Sequence, residues 1–182
     1  VLFRSNNQIT AGDGDNDLVA GDGNDIITVG DGNNQLEAGH GNNQIITGDG
    51  NNNITTGTGI DIITTGNGDN VVNSGSGNDQ ITTGSGNDQL LAGHGDDIIK
   101  GGAGNDTYIY YKTDGNDVIE DSSGNNVIEF KDLRAKDIDF SKDGDNLVIT
   151  VRSTLSTITL LNHFASSQVA MNLIFKDGYN ID

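Results

Sequence analysis

From Ile9 to Tyr108, one phase of the chain is apolar at every ninth position: Ile9, Leu18, Ile27, Leu36, Ile45, Ile54, Ile63, Val72, Ile81, Leu90, Ile99 and Tyr108. One apolar residue per nine cannot make the stripe of an amphipathic helix, which needs three or four per two turns. It suits a short strand whose middle side chain points inward. The rest of each repeat is Gly-rich and polar, and predicts a turn. Two repeats then make one coil, with a strand on each side. Stacked coils bury a thin column of Ile, Leu and Val between two parallel sheets. The predicted fold is all-β: a parallel β-roll, that is, a right-handed β-solenoid with two nonapeptides, about 18 residues, per coil.

The glycines keep the same beat. Gly recurs at every ninth position from 12 to 102, and a second series runs two positions behind it from 14 to 104; together they hold 22 of the 27 glycines. Eleven repeats read small-Gly-x-Gly-x-(Asp/Asn)-x-aliphatic-x, most clearly at Gly101-Gly102-Ala103-Gly104-Asn105-Asp106-Thr107-Tyr108-Ile109. Residues 2–10 keep Asn7 and Ile9 without the glycines and read as a degenerate first copy. After Ile109 the pattern slips by two positions and gives two more degenerate copies, Gly115-Asn116-Asp117-Val118-Ile119 and Gly124-Asn125-Asn126-Val127-Ile128.

Longer strands are predicted beyond that point, at Val127–Phe130, Ile138–Phe140, Leu147–Val151, Thr157–Leu161 and Leu173–Phe175. Turns at Lys142-Asp143-Gly144-Asp145 and Lys176-Asp177-Gly178 separate strand pairs. Asn162–Ala170 reads as a short helix or a loop. Four of the five Phe lie in this region. A solenoid needs its last coil covered, because that coil otherwise exposes apolar surface and open strand edges. Two domains are expected: a β-roll over 1–109 and a C-terminal β-rich cap over 110–182, with the boundary near 107–112.

Charge changes the picture. The chain carries 27 acidic and 9 basic side chains, a formal net charge of −18, with 5% aromatics. Such a composition signals disorder unless something regular organises the polar residues; here the ninefold period does. The charge excludes nucleic acid as a partner, since phosphate binding needs a basic patch, and favours a cationic one. The absence of Cys excludes a disulfide framework and Cys-based zinc sites, and fits an exported protein. No apolar run has the length of a transmembrane helix, and no signal peptide opens the chain. The start Val1-Leu2-Phe3-Arg4, without Met, predicts a fragment of a larger protein.

Adjacent coils in a parallel stack lie about 4.8 Å apart. The sixth residues of the repeats therefore form two columns, one along each edge. One reads Asn16, Asn34, Asn52, Asn70, Asp88, Asp106; the other Asn7, Asp25, Asn43, Asp61, Asp79, Asp97. Neighbouring carboxylates at that spacing repel by about 1 kcal/mol in water and by several times more near protein. Unneutralised, the stack should come apart. Calcium accepts six to eight oxygens in flexible geometry, including backbone carbonyls that Gly-rich turns expose, whereas magnesium holds on to its waters.

The repeat resembles the RTX (repeats-in-toxin) calcium-binding nonapeptide, in eleven tandem copies. That resemblance implies several calcium ions, each between turns two repeats apart. The sites it implies are Asp88/Asp106, Asp61/Asp79 and Asp79/Asp97, with mixed sites at Asn70/Asp88, Asp25/Asn43 and Asn43/Asp61. Turn carbonyls of Gly75, Gly77, Gly93, Gly95, Gly102 and Gly104 would contribute. The chain departs from the family at Asn16, Asn34, Asn52 and Asn70, which share an edge. Either the carboxylate has moved to the third position there (Asp13, Asp31, Asp49), or those sites are weak or empty and held by an Asn hydrogen-bond ladder. Residues 115–180 resemble the hemolysin-type calcium-binding-related domain that commonly follows such repeats in large secreted bacterial proteins. The implied role is a calcium-binding module of a type I-secreted toxin, adhesin or exoenzyme, secreted or at the cell surface. It would pass the type I secretion machinery unfolded and fold on calcium outside.

Nothing in the chain points to catalysis, and the expectation is no enzyme within it. His40 and His94 occupy equivalent turn positions three coils apart, about 14 Å at that spacing, and cannot share a metal. His163 reads as a cap residue. No His-Glu-x-x-His, Gly-x-Ser-x-Gly or phosphate loop is present. The alternative function uses one outward strand face. Its ninth positions read Thr10, Thr28, Ile46, Thr64, Thr82, Lys100, and its seventh positions Gln8, Ile26, Gln44, Ile62, Gln80, Ile98. A flat Thr/Ile array of this kind could bind ice, a polysaccharide or a cell surface, although Thr and Ile also simply favour strands.

Overall fold

The computed structural model describes residues 5–165 and 169–181. Its first fourteen strands are short: β1 (Gln8–Ala11), β2 (Asp17–Val19), β3 (Ile26–Val29), β4 (Gln35–Gly39), β5 (Gln44–Ile46), β6 (Asn53–Thr56), β7 (Ile62–Thr64), β8 (Val71–Asn73), β9 (Gln80–Thr82), β10 (Gln89–Leu91), β11 (Ile98–Ala103), β12 (Thr107–Tyr110), β13 (Asp117–Ser123) and β14 (Asn125–Phe130). Odd strands pair in parallel in one sheet and even strands in the other. The chain is a parallel β-solenoid in which each strand residue pairs with its equivalent two repeats on, as at Ile45↔Ile63 and Ile54↔Val72.

The strands are short because only the eighth-position side chain and the small first-position residue two places on turn inward in each repeat. In β5, β7 and β9 the middle residue is buried and both neighbours are exposed. From Ile27 to Leu90 the eighth-position side chains are at most 1% exposed. Each full burial of this kind is worth roughly 1.5–3 kcal/mol. The turns stack as closely as the strands. Gly77 has φ +145°, and a Cβ there would lie 1.6 Å from the Gly59 carbonyl oxygen of the coil before it. Only glycine fits both the conformation and the approach.

The slip by two positions is real. The offset is 18 at Gln80↔Ile98 and 20 at Ile98↔Val118, and likewise 18 at Gln89↔Thr107 and 20 at Thr107↔Val127. Both sheets run on past residue 110 through β13 and β14. Aromatics fill the core where the coil lengthens: Tyr108, Tyr110 and Phe130 are buried. Tyr110 meets Phe130 edge-on at 5.8 Å, and Phe130 stacks on Phe175 at 5.0 Å.

The end is closed by reversing strand direction. β15 (Ile138–Asp143) and β16 (Asn146–Val151) form a hairpin; β17 (Thr157–Leu160) is antiparallel to β16 and parallel to β13. On the other sheet β18 (Ala170–Ile174) lies parallel to β14, with β19 (Asn180–Ile181) antiparallel to β18. Ile149, Ile158, Leu173 and Phe175 bury the last coil. Residues 161–164 form turns and Ala170 opens β18. The remainder of the predicted 162–170 helix or loop includes 166–168, which lie outside the described residues.

Candidate metal centre

The sixth-position side chains point inward, into the turn interior. Asp25, Asp61, Asp79, Asp88, Asp97 and Asp106 are at most 1% exposed, and Asn34, Asn43, Asn52 and Asn70 at most 2%. Each uses Oδ1 to accept the backbone N–H of the residue one coil earlier. Along one edge Asp61 N donates to Asp79 (2.8 Å), Asp79 N to Asp97 (2.7 Å) and Asp97 N to Asp117 (3.0 Å). Along the other, Asn70 N donates to Asp88 (2.7 Å), Asp88 N to Asp106 (2.8 Å) and Asp106 N to Asn126 (2.8 Å). The columns thus extend across the slip to Asp117 and Asn126. The degenerate copies at 115–119 and 124–128 carry both residues in plain view, but the break in the ninefold spacing hid their alignment.

The second carboxylate oxygen has a different fate. Oδ2 of Asp25, Asp61, Asp79, Asp88, Asp97 and Asp106 is buried and has no hydrogen-bond partner. A buried unpaired polar atom is costly, and a buried unpaired charge more so. Four of these carboxyls, Asp61, Asp79, Asp97 and Asp106, hold their protons above the usual carboxylate range. Burial pushes Asp79 up to about 6, and the Asp61 charge adds to it. Burial pushes Asp97 and Asp106 up to about 7, with neighbouring carboxylates adding to it. Asp117 reaches about 8, from burial and then the Asp97 charge. Asp61 is raised by burial, against the Asn43 backbone amide that donates to its Oδ1 at 2.7 Å.

Turn carbonyls converge on the same place. Where Asn holds the sixth position, its Nδ2 donates to the fourth-position carbonyl of its own turn: Asn52 to Gly50 (2.9 Å), Asn70 to Gly68 (2.8 Å). Asn16 and Asn43 also reach second-position carbonyls, Gly12 (3.1 Å) and Gly39 (3.3 Å). The equivalent carbonyls in the Asp turns belong to Gly77, Gly95 and Gly104 at the fourth position and Gly75, Gly93 and Gly102 at the second. Gly75 O also accepts His94 N at 2.9 Å. Among the described residues no three His, Cys, Asp or Glu side chains gather into one cage. The donors come in pairs, one from each coil, with main-chain oxygens beside them. A ring of oxygens, part carboxylate and part carbonyl, suits a hard cation of flexible coordination.

Asp13, Asp31 and Asp49 are exposed and face outward. Their Oδ1 atoms accept the amides of Asp31 (3.0 Å), Asp49 (2.8 Å) and Asn67 (2.7 Å) in the next coil. They do not join the inner columns, and Asn side chains bond coil to coil along that edge. A second outer ladder lies beyond the sequence expectations. Fifth-position side chains accept the fifth-position amide of the following coil, as at Asn42←Ile60 (2.9 Å) and Asn51←Asp69 (2.8 Å). Its signal is in the chain: the fifth residue is Asn or Asp in every repeat from Asp15 to Asn105 except Ile60.

The histidines stay apart. His40 and His94 are exposed, with Nδ1 bonded to Thr58 Oγ1 (3.1 Å) and Thr113 O (2.9 Å). His163 meets Phe164 edge-on at 4.9 Å.

Stacked two-repeat coils with paired oxygen ladders in their turns define a metal-binding β-solenoid. The family described as RTX calcium-binding nonapeptide repeat (4 copies) matches at residues 4–27, 10–45, 19–54, 46–81, 74–108 and 112–129. The chain belongs to that family. No curated protein sequence matches it. Among solved structures, the extracellular lipase LipA from Serratia marcescens aligns at 18% identity with a TM-score of 0.37, over 93% of this chain and 39% of that one. The chain therefore spans well under half the length of that protein.

Proposed function

We propose that this chain is a calcium-triggered folding module of a larger exported protein. The observation that carries the reading is the set of six buried aspartates whose second oxygen has no partner. Asp61, Asp79, Asp97, Asp88 and Asp106, with the carbonyls of Gly75, Gly77, Gly93, Gly95, Gly102 and Gly104, would hold the ions; Asp25, Asn43 and Asn70 extend the set. A bound calcium supplies positive charge where carboxylates face one another. The chain supplies the rest: backbone amides that fix Oδ1, and glycine carbonyls equivalent to those that meet Nδ2 in the Asn turns. Where calcium is scarce, the buried carboxylates oppose stacking. At the roughly millimolar calcium of extracellular fluids, sites of the 10⁻⁴–10⁻³ M class fill and binding free energy becomes folding free energy.

Secretion as an unfolded chain through a type I channel fits that switch, and a toxin, adhesin or exoenzyme activity would belong to other parts of the parent protein. No catalytic role is assigned to these residues. Isothermal titration at neutral pH is the test. Calcium should bind at several sites with magnesium failing to compete, and calcium binding no tighter than magnesium would overturn the reading.

A second reading, adhesion to an ordered surface such as ice or a polysaccharide, has one observation in its favour. Ile26, Ile46, Ile62 and Ile98 stand 41–43% exposed on one parallel sheet. Thr28→Lys, Thr64→Lys and Thr82→Lys together should abolish such binding and leave calcium-driven folding intact.

A further inference from the structure

The gaps between stacked turns fall into two kinds. In every gap Oδ1 of the later residue accepts the backbone amide of the earlier one. For an Asn this fixes which end is oxygen and which is nitrogen. Nδ2 of Asn16, Asn34, Asn52 and Asn70 lies 2.7, 3.0, 2.9 and 2.8 Å from the carbonyls of Gly14, Gly32, Gly50 and Gly68 in its own turn. The same nitrogens lie 2.8, 2.8, 3.0 and 2.9 Å from Oδ1 of Asn34, Asn52, Asn70 and Asp88 in the next coil. Each carboxamide nitrogen thus joins a turn carbonyl to the next coil's side-chain oxygen. Asn43 donates to Gly41 O at 2.9 Å, and Asn7 to Asp25 Oδ1 at 2.9 Å. Where the earlier residue is Asp, a bare oxygen takes the place of that nitrogen, and all six such oxygens are buried.

We propose that the earlier residue of each stacked pair alone decides whether the gap takes an ion. An earlier Asp leaves the gap open to calcium. An earlier Asn closes it, its NH₂ group serving as a covalent substitute for the cation. This rests on the calcium reading and sharpens it. Ions belong to the gaps Asp25–Asn43, Asp61–Asp79, Asp79–Asp97, Asp97–Asp117, Asp88–Asp106 and Asp106–Asn126. Gaps that begin at Asn7, Asn16, Asn34, Asn43, Asn52 and Asn70 take none. Asn70 therefore leaves the ligand set, while Asp117 and Asn126 enter it.

The consequence is polarity along the roll. The edge beginning at Asn16 is neutral and self-satisfied through four gaps, and turns ionic only at Asp88. Calcium demand is concentrated next to the cap, and the outer coils of that edge need none.

The test counts ions by native mass spectrometry on the whole chain in calcium, with a magnesium-exchanged sample as the control for loose ions. The wild type should retain six. Asn70→Asp should open one gap and retain seven; Asp79→Asn should close one and retain five. Asp79→Asn should also gain β-structure in chelator relative to wild type, because a donor replaces an unpaired oxygen. Equal calcium counts in all three proteins, or a wild-type count near twelve, overturn the rule while leaving the calcium reading standing. No retained calcium in any of them overturns both.

Discussion

Asp79 Oδ1 holds the Asp61 amide at 2.8 Å, while Oδ2 has no partner. One atom builds the coil and the other opposes it unless a cation or a proton arrives. The proton alternative sets a pH dependence. Burial raises Asp79 to about 6, Asp97 and Asp106 to about 7 and Asp117 to about 8, all above the ordinary 3.8. With folded values above unfolded ones, the folded chain binds more protons between about pH 4 and 8. Stability of the metal-free roll therefore rises as pH falls through that window and is lost as pH rises through it. Circular dichroism in chelator should show β-structure growing from about pH 8 to about pH 5. The calcium concentration needed for half-saturation should rise over the same interval, because protons and calcium compete for the same oxygens. The sixth position was legible in the sequence, since it repeats in phase with the apolar eighth. The unequal use of its two oxygens was not, because that depends on which neighbour's amide each one meets.

A short strand of the roll buries its eighth-position side chain and at most one small residue beside it. Ile54, fully buried in β6, is flanked by its register partners in the adjacent coils, Leu36 and Val72. Ile54→Ala should cost about 2–5 kcal/mol, read as a lowered denaturation midpoint of the calcium-loaded protein in urea. Substituting an exposed ninth-position residue such as Thr64 by Ser should change it little. The strands of the roll were legible because period nine leaves only one way to bury the eighth residue. The strand reversals of β15–β17 were legible as elements, from alternation and Gly144, but their attachment to β13 was not. That pairing sets Ile158 against Asp117 and Leu160 against Ile119, partners far apart along the chain, and no local pattern encodes it.

At the scale of the molecule, six divalent ions would carry twelve positive charges into a chain of formal net charge −18. The cap is where the apolar column gives way to rings. Phe130 sits between Tyr110 and Phe175 and is 1% exposed. Phe130→Ala should cost about 3–5 kcal/mol and should raise the calcium concentration at the folding midpoint, since the terminal coil is the surface on which the ionic coils stack. Period and composition indicate a roll with a cap, but not that the two sheets continue through the slip. That continuity requires Tyr108 to take an aliphatic position with its hydroxyl on Asp121 at 2.5 Å, and Gly101 to leave the hydroxyl room.

The central claim is that calcium, by meeting the bare oxygens of the buried aspartates, turns an unstable stack into a folded one. Far-UV circular dichroism at neutral pH, recorded in excess chelator and then through a calcium titration with magnesium as control, tests it most directly. A cooperative gain of β-structure with calcium alone is the predicted result. A full β-sheet spectrum already present in chelator, unchanged by calcium, would contradict it.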